Sequence, residues 1–159
     1  MAILIAYDSI YGNTKKIAEA IAAAVPGEMK LLQVKAANAK ELESGDVLIV
    51  GSPTHGGRPS QSTHQFLNGI APGTLKNIRA AAFDTGILAD GQNAFMRLII
   101  KFFGYASKRI AQALRTKGAN IIGAETFFVL GKEGPLKEGE LARAVSWIKG
   151  VLNDNKESK

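Results

Sequence analysis

Three short stretches of the chain concentrate the residue types that hold ligands: 8–14, 51–60 and 83–91. The first reads Asp8-Ser9-Ile10-Tyr11-Gly12-Asn13-Thr14. Consecutive amides in a tight, glycine-containing turn converge on an anion, and a following helix adds its unpaired N–H groups and the positive end of its dipole. Ser9 and Thr14 bring hydroxyl donors, and Gly12 lets the backbone approach closely. Lys15 and Lys16 point away in most helical registers, so neutral donors would do most of the holding. The same residues equally fit an ordinary helix start with Asn13 or Thr14 as N-cap.

The second stretch is Gly51-Ser52-Pro53-Thr54-His55-Gly56-Gly57-Arg58-Pro59-Ser60. A run this poor in apolar side chains buries little and needs special dihedrals, which Gly56 and Gly57 supply at positive φ. His55 can stack on a flat ring with less area than Trp or Tyr, or be a surface-loop histidine. His64, in the helix that follows, reads as exposed. In the third stretch, Phe83-Asp84-Thr85-Gly86-Ile87-Leu88-Ala89-Asp90-Gly91, Asp84 can accept from a ligand hydroxyl or cap the loop locally. Thr85 and Gly86 stand beside it. No nucleophile–base pair is legible.

The elements that position these stretches follow from hydrophobic period. Short apolar runs at Ala2–Tyr7, Val47–Val50 and Ile78–Phe83 read as strands buried on both faces. Met29–Lys35 alternates loosely, as an edge strand does, and Ile121–Gly123 with Thr126–Leu130 makes a fifth strand region. Helical patterns cover Asn13–Val25, Ser60–Asn68, Asn93–Lys117 (interrupted at Gly104) and Lys137–Leu152. Strands alternating with helices predict an α/β fold: a three-layer sandwich with a parallel sheet and right-handed crossovers. Ligands then sit beyond the carboxyl ends of the strands, where all three stretches fall.

With 159 residues, 46% of them hydrophobic and 21% charged, the chain suits one domain, expected over 1–153, with a polar tail over 154–159. The start reads as mature protein rather than signal peptide, and the expectation is a cytoplasmic protein. There is no cysteine, and two histidines are too few for a multi-histidine metal centre, so no metal is expected. The net charge of +6 is unevenly placed. Residues 51–118 carry nine basic side chains against only Asp84 and Asp90, while the flanking segments are close to neutral. An acidic protein, a small anion, nucleic acid, an anionic membrane or simple solvation each fits that excess. The 93–117 stretch has a wider apolar arc than packing on a sheet requires. It fits a packing helix and lid, a dimer or partner contact, or peripheral membrane binding.

Tyr11-Gly12-Asn13-Thr14 after a strand resembles the phosphate loop of flavodoxins, and 51–60 resembles their flavin-ring loop. Ile10-Tyr11 departs from the threonines usual there and is similar to the flavodoxin domain of flavodiiron proteins, whose diiron domain this chain lacks. The resemblance implies a flavodoxin-like fold, a five-stranded sheet of order 2-1-3-4-5, and one FMN. It implies cofactor contacts from Ser9, Ile10, Tyr11, Gly12, Asn13, Thr14, Pro53, Thr54, His55, Gly56, Gly57, Asp84, Thr85 and Gly86. Asp84 would either accept from a ribityl hydroxyl or cap the loop locally, and Tyr105, outside this set, is a remote candidate for a ring-facing aromatic. It further implies a peptide flip at Gly56-Gly57 that stabilises a semiquinone, and electron transfer to redox partner proteins. Here those partners are expected to be acidic, docking on Arg58, Arg97, Lys101 and Lys108. Nucleic acid is not expected, and the chain is read as a monomer or homodimer. The alternative is an NAD(P)H-dependent FMN or quinone reductase acting as a dimer; a flavin-free scaffold is a third reading.

Overall fold

The computed structural model describes residues 1–154. The predicted apolar runs form strands: β1 (Ala2–Tyr7), β2 (Glu28–Gln33), β3 (Val47–His55), β4 (Arg58–Pro59), β5 (Arg79–Ile87) and β6 (Asn120–Val129). Five of them make a parallel sheet in the order β2-β1-β3-β5-β6, the 2-1-3-4-5 arrangement with β5 and β6 as fourth and fifth strands. The two-residue β4 is an addition, paired antiparallel to the end of β3.

Helices α1 (Asn13–Ala24), α2 (Ala39–Glu43), α3 (Gln61–Gly69), α4 (Ala94–Phe103), α5 (Ala106–Thr116) and α6 (Glu140–Asp154) complete the fold. Side chains alternate across each strand, so the sheet feeds two cores. One joins Ile5, Phe83 and Phe127 to Ile17 and Ile21 of α1 and Ile148 of α6. The other joins Leu4, Leu48 and Ala82 to Leu67 of α3 and to Ile110 and Leu114 of α5. Gly51 interrupts the apolar run of β3 for a packing reason. A Cβ there would lie 2.0 Å from Cζ of Phe83, whose ring is fully buried.

Several elements differ from the sequence expectation. The expected loops after the third and fourth strands are partly strand, because β3 runs on to His55 and β5 to Ile87. The two pieces of the last strand are one, with Ile122 as the extra residue of a bulge opposite Ala80 and Ala81. Helix α2 is additional to the expectation, because five residues are too few to show a period; a capping box between Asn38 and Glu41 fixes its start. The stretch 93–117 is two helices, α4 and α5, broken at Gly104 with φ 67° and ψ −147°. Helix α6 starts at Glu140, not Lys137. The tail expected over 154–159 lies outside the described residues apart from Asp154.

Helix α4 stands apart from the layers. None of its residues is buried, neither core contains one of them, and Phe95 and Phe102 are 70% and 73% exposed. No helix among the described residues is long and apolar enough to cross a membrane.

Candidate functional site

A cleft of about 250 Å³ opens at the carboxyl ends of β1, β3 and β5. Its first wall is the turn between β1 and α1. Gly12 takes a left-handed conformation, φ 92°, and is the residue that caps α1, rather than Asn13 or Thr14. The Ser9 Oγ accepts from the Gly12 and Lys15 N–H groups at 3.1 and 3.2 Å, which closes the turn. Asn13 and Thr14 are instead the first helical residues, both buried. The Asn13 Nδ2 donates to the Glu133 carbonyl, tying α1 to the loop after β6, and the Thr14 and Thr85 hydroxyls share a hydrogen bond of 2.7 Å. What remains free is the backbone. The N–H groups of Ile10, Tyr11, Asn13 and Thr14 have no acceptor among the described residues. Four unpaired donors at a helix N-terminus, beside a cleft, are the chemistry that an anion satisfies.

The second wall is a β-hairpin. His55 of β3 pairs with Arg58 of β4, and between them Gly56 and Gly57 have φ 56° and 78°. Two left-handed residues in a two-residue loop make the primed turn that matches strand twist. Gly57 is held by a second constraint, since a Cβ there would lie 2.5 Å from the Phe103 carbonyl oxygen at the end of α4. The Ser60 N–H donates to the Ser52 hydroxyl at 2.9 Å, and the Ser60 hydroxyl donates to the Asp8 carboxylate at 2.5 Å. These bonds tie the hairpin base to the first turn. Pro53, Thr54, His55 and Gly56 face the cleft.

On β5, Thr85 and Gly86 face the cleft but Asp84 does not. Its side chain is fully buried on the opposite face of the sheet. There it accepts from the Thr126 hydroxyl at 2.8 Å, from the Ser107 N–H at 3.2 Å and from the Thr54 hydroxyl, while the Thr54 Oγ itself accepts from the Ala106 N–H. Tyr105, the N-cap of α5, makes no capping bond of its own. Asp84 and Thr54 therefore cap α5 from neighbouring strands, and the carboxyl expected to meet a ribityl hydroxyl is committed to the fold. Burial pushes its pKa above the usual carboxylate range against the pull of those donors. Tyr105 is likewise occupied: its ring packs on Gly86 and its hydroxyl donates to the Ile87 carbonyl at 2.9 Å.

Eleven of the fourteen expected residues line the cleft; Gly12, Gly57 and Asp84 shape it from behind. Ile87, Met96 of α4, Val129 and Lys132 line it as well. Lys132 adds a cation to the lining that also carries Ile10, Tyr11, Asn13 and Thr14, where the sequence suggests mainly neutral donors. Its position at the carboxyl end of β6 was the available signal.

These features define a doubly wound α/β protein with a cleft at the switch point of its sheet. The flavodoxin domain family matches residues 4–124, and the chain belongs to that family, whose members carry a flavin, typically FMN, in electron transfer. Similar solved structures include a flavodoxin from the domain Archaea, with 18% identity, a TM-score of 0.74, and 98% of this chain and 99% of that one covered. Oxidised flavodoxin 2 from Bacillus cereus has 22% identity and a TM-score of 0.70, over 97% of this chain and 99% of that one. The rubredoxin oxygen:oxidoreductase of Desulfovibrio gigas has 21% identity and a TM-score of 0.73 over 98% of this chain, which spans 36% of that protein. At these identities the likeness is one of fold. No curated protein matches the chain.

Proposed function

We propose that the cleft binds one FMN and that the protein is a one-electron carrier. The observation that supports this best is the set of unpaired amides at Ile10, Tyr11, Asn13 and Thr14. They would hold the phosphate, with His55, Gly56, Thr85 and Gly86 facing the ring. Bound FMN supplies the redox chemistry; the chain binds it, orients it and leaves part of it accessible.

Single-electron work depends on Gly56. A Cβ there meets nothing, so the only obstacle to a side chain is the left-handed backbone, worth about 1–2 kcal/mol. Stepwise reduction of the wild type is expected to accumulate a long-wavelength, one-electron-reduced species, and Gly56→Ala to lower its maximal yield. A wild type that passes directly between oxidised and two-electron-reduced flavin would refute the carrier reading.

The partner is acidic in this reading. Arg58, Arg97, Lys101 and Lys108 are exposed and join no ion pair among the described residues, so their charge is free to act outward. Charge around a redox site raises encounter rates more than it tightens complexes. Oxidation of reduced protein by an acidic one-electron acceptor is expected to outpace that by a basic one at low salt. The advantage should fall as ionic strength passes ~0.1 M, where the Debye length is about 10 Å, and reverse in an Arg97→Glu, Lys101→Glu double variant. Equal rates for the two acceptors at low salt would exclude docking through this rim.

A further inference from the structure

A second concavity lies beside the first and is larger, about 600 Å³. It runs between α3 and α5, and the β3–β4 hairpin closes one end. Helical spacing builds it. Gln61, His64 and Asn68 recur at three and four residues on one face of α3, and Arg109 and Ala113 are one turn apart on α5. Leu67, buried, and Ala113 give it an apolar floor. Its polar side chains are Arg58, Arg109, His55, His64, Gln61 and Asn68, with no carboxylate among them.

Such a lining has a definite electrostatic sense. The nearest a groove of this kind usually comes to neutrality is an acidic partner for each arginine, but Arg58 and Arg109 have no ion pair among the described residues. Arg58 and Arg109 line the same groove over that apolar floor, and each guanidinium carries the paired N–H donors that suit a phosphate; the Gln61 amide adds another, while the Asn68 Nδ2 lies 3.1 Å from the His64 Nε2. His55 belongs to both concavities, lining the cleft and the groove. His55 thus stands between the two concavities.

We infer that this groove is a binding site for a phosphate-bearing small molecule, held by Arg58 and Arg109 next to the cleft. Only the purpose of this proximity rests on the flavin reading; anion capture by the groove does not. The ligand chemistry has two sources, a free phosphate or the phosphates of a nucleotide such as NADPH.

The test is calorimetric titration of the flavin-loaded protein, in which the phosphate loop is filled, with inorganic pyrophosphate and separately with NADPH. Saturable binding is expected, weakened at least tenfold by Arg109→Ala or Arg58→Ala and by Asn68→Asp, which puts a carboxylate in the groove. Lys149→Ala, on the exposed side of α6, should leave it unchanged. Tighter binding of NADPH than of pyrophosphate would identify a nucleotide as the source, and equal binding a free phosphate. The proposal is overturned by an absence of saturable binding, or by a loss that is the same in Lys149→Ala as in the arginine variants. Should the protein take up no flavin, the titration with pyrophosphate still reads the groove through its dependence on Arg109, so the two readings fail separately.

Discussion

Asp84→Ala is expected to cost about 2–4 kcal/mol of unfolding free energy, the scale of leaving several buried donors unpaired. The Ser107 N–H and the hydroxyls of Thr54 and Thr126 would lose a buried acceptor, and the start of α5 its cap. Asp84→Asn keeps the shape and one acceptor and should cost less. The pair also separates charge from shape. An acid whose folded-state pKa is raised binds its proton more tightly when folded. Its contribution to stability is therefore full below the unfolded value, about 3.9, and is lost as pH rises through the folded one. Urea unfolding of the wild type relative to Asp84→Asn should accordingly show the difference shifting against the wild type as pH is raised from about 4. A pH-independent difference would mean that Asp84 keeps an ordinary pKa.

The second large effect concerns ligand choice. Four free amides at the start of α1 should make FMN bind at least about a hundredfold more tightly than riboflavin, since two or three charge-assisted hydrogen bonds of about 1.5–3 kcal/mol each depend on the phosphate. FAD should bind poorly, because the turn ends at a helix start suited to a terminal phosphate and lacks the glycine pattern for a pyrophosphate. Fluorescence-quenching titrations of flavin-free protein measure all three. Equal affinities for riboflavin, FMN and FAD would show that the turn does not read the phosphate.

Legibility in the sequence followed the range of the interactions involved. The β1–α1 turn and the sheet order depend on local pattern, a strand followed by Gly-Asn-Thr and a helical period, so they were readable. The hairpin was half readable: His55-Gly56-Gly57-Arg58 has the two-residue signature, but Pro59 and the brevity of β4 concealed a strand. Asp84 went astray through parity. Once β5 is extended past Phe83, Asp84 shares the face of Ala80 and Ala82, toward α5, and only Thr85 can meet Thr14. Met96 and Lys132 reach the cleft from separate elements, α4 and the loop after β6, outside the three stretches whose composition marked the site.

Helix α4 walls the cleft with Met96 yet adds nothing to either core. Folding thus places almost no demand on the identity of Phe95, Leu98 or Phe102. Mutational drift can rewrite that outer surface at little risk to the sheet, and each change alters what the neighbourhood of the cleft offers to other molecules. Substitutions of Phe95, Leu98 or Phe102 should therefore reshape the surface beside the cleft while the scaffold stays the same.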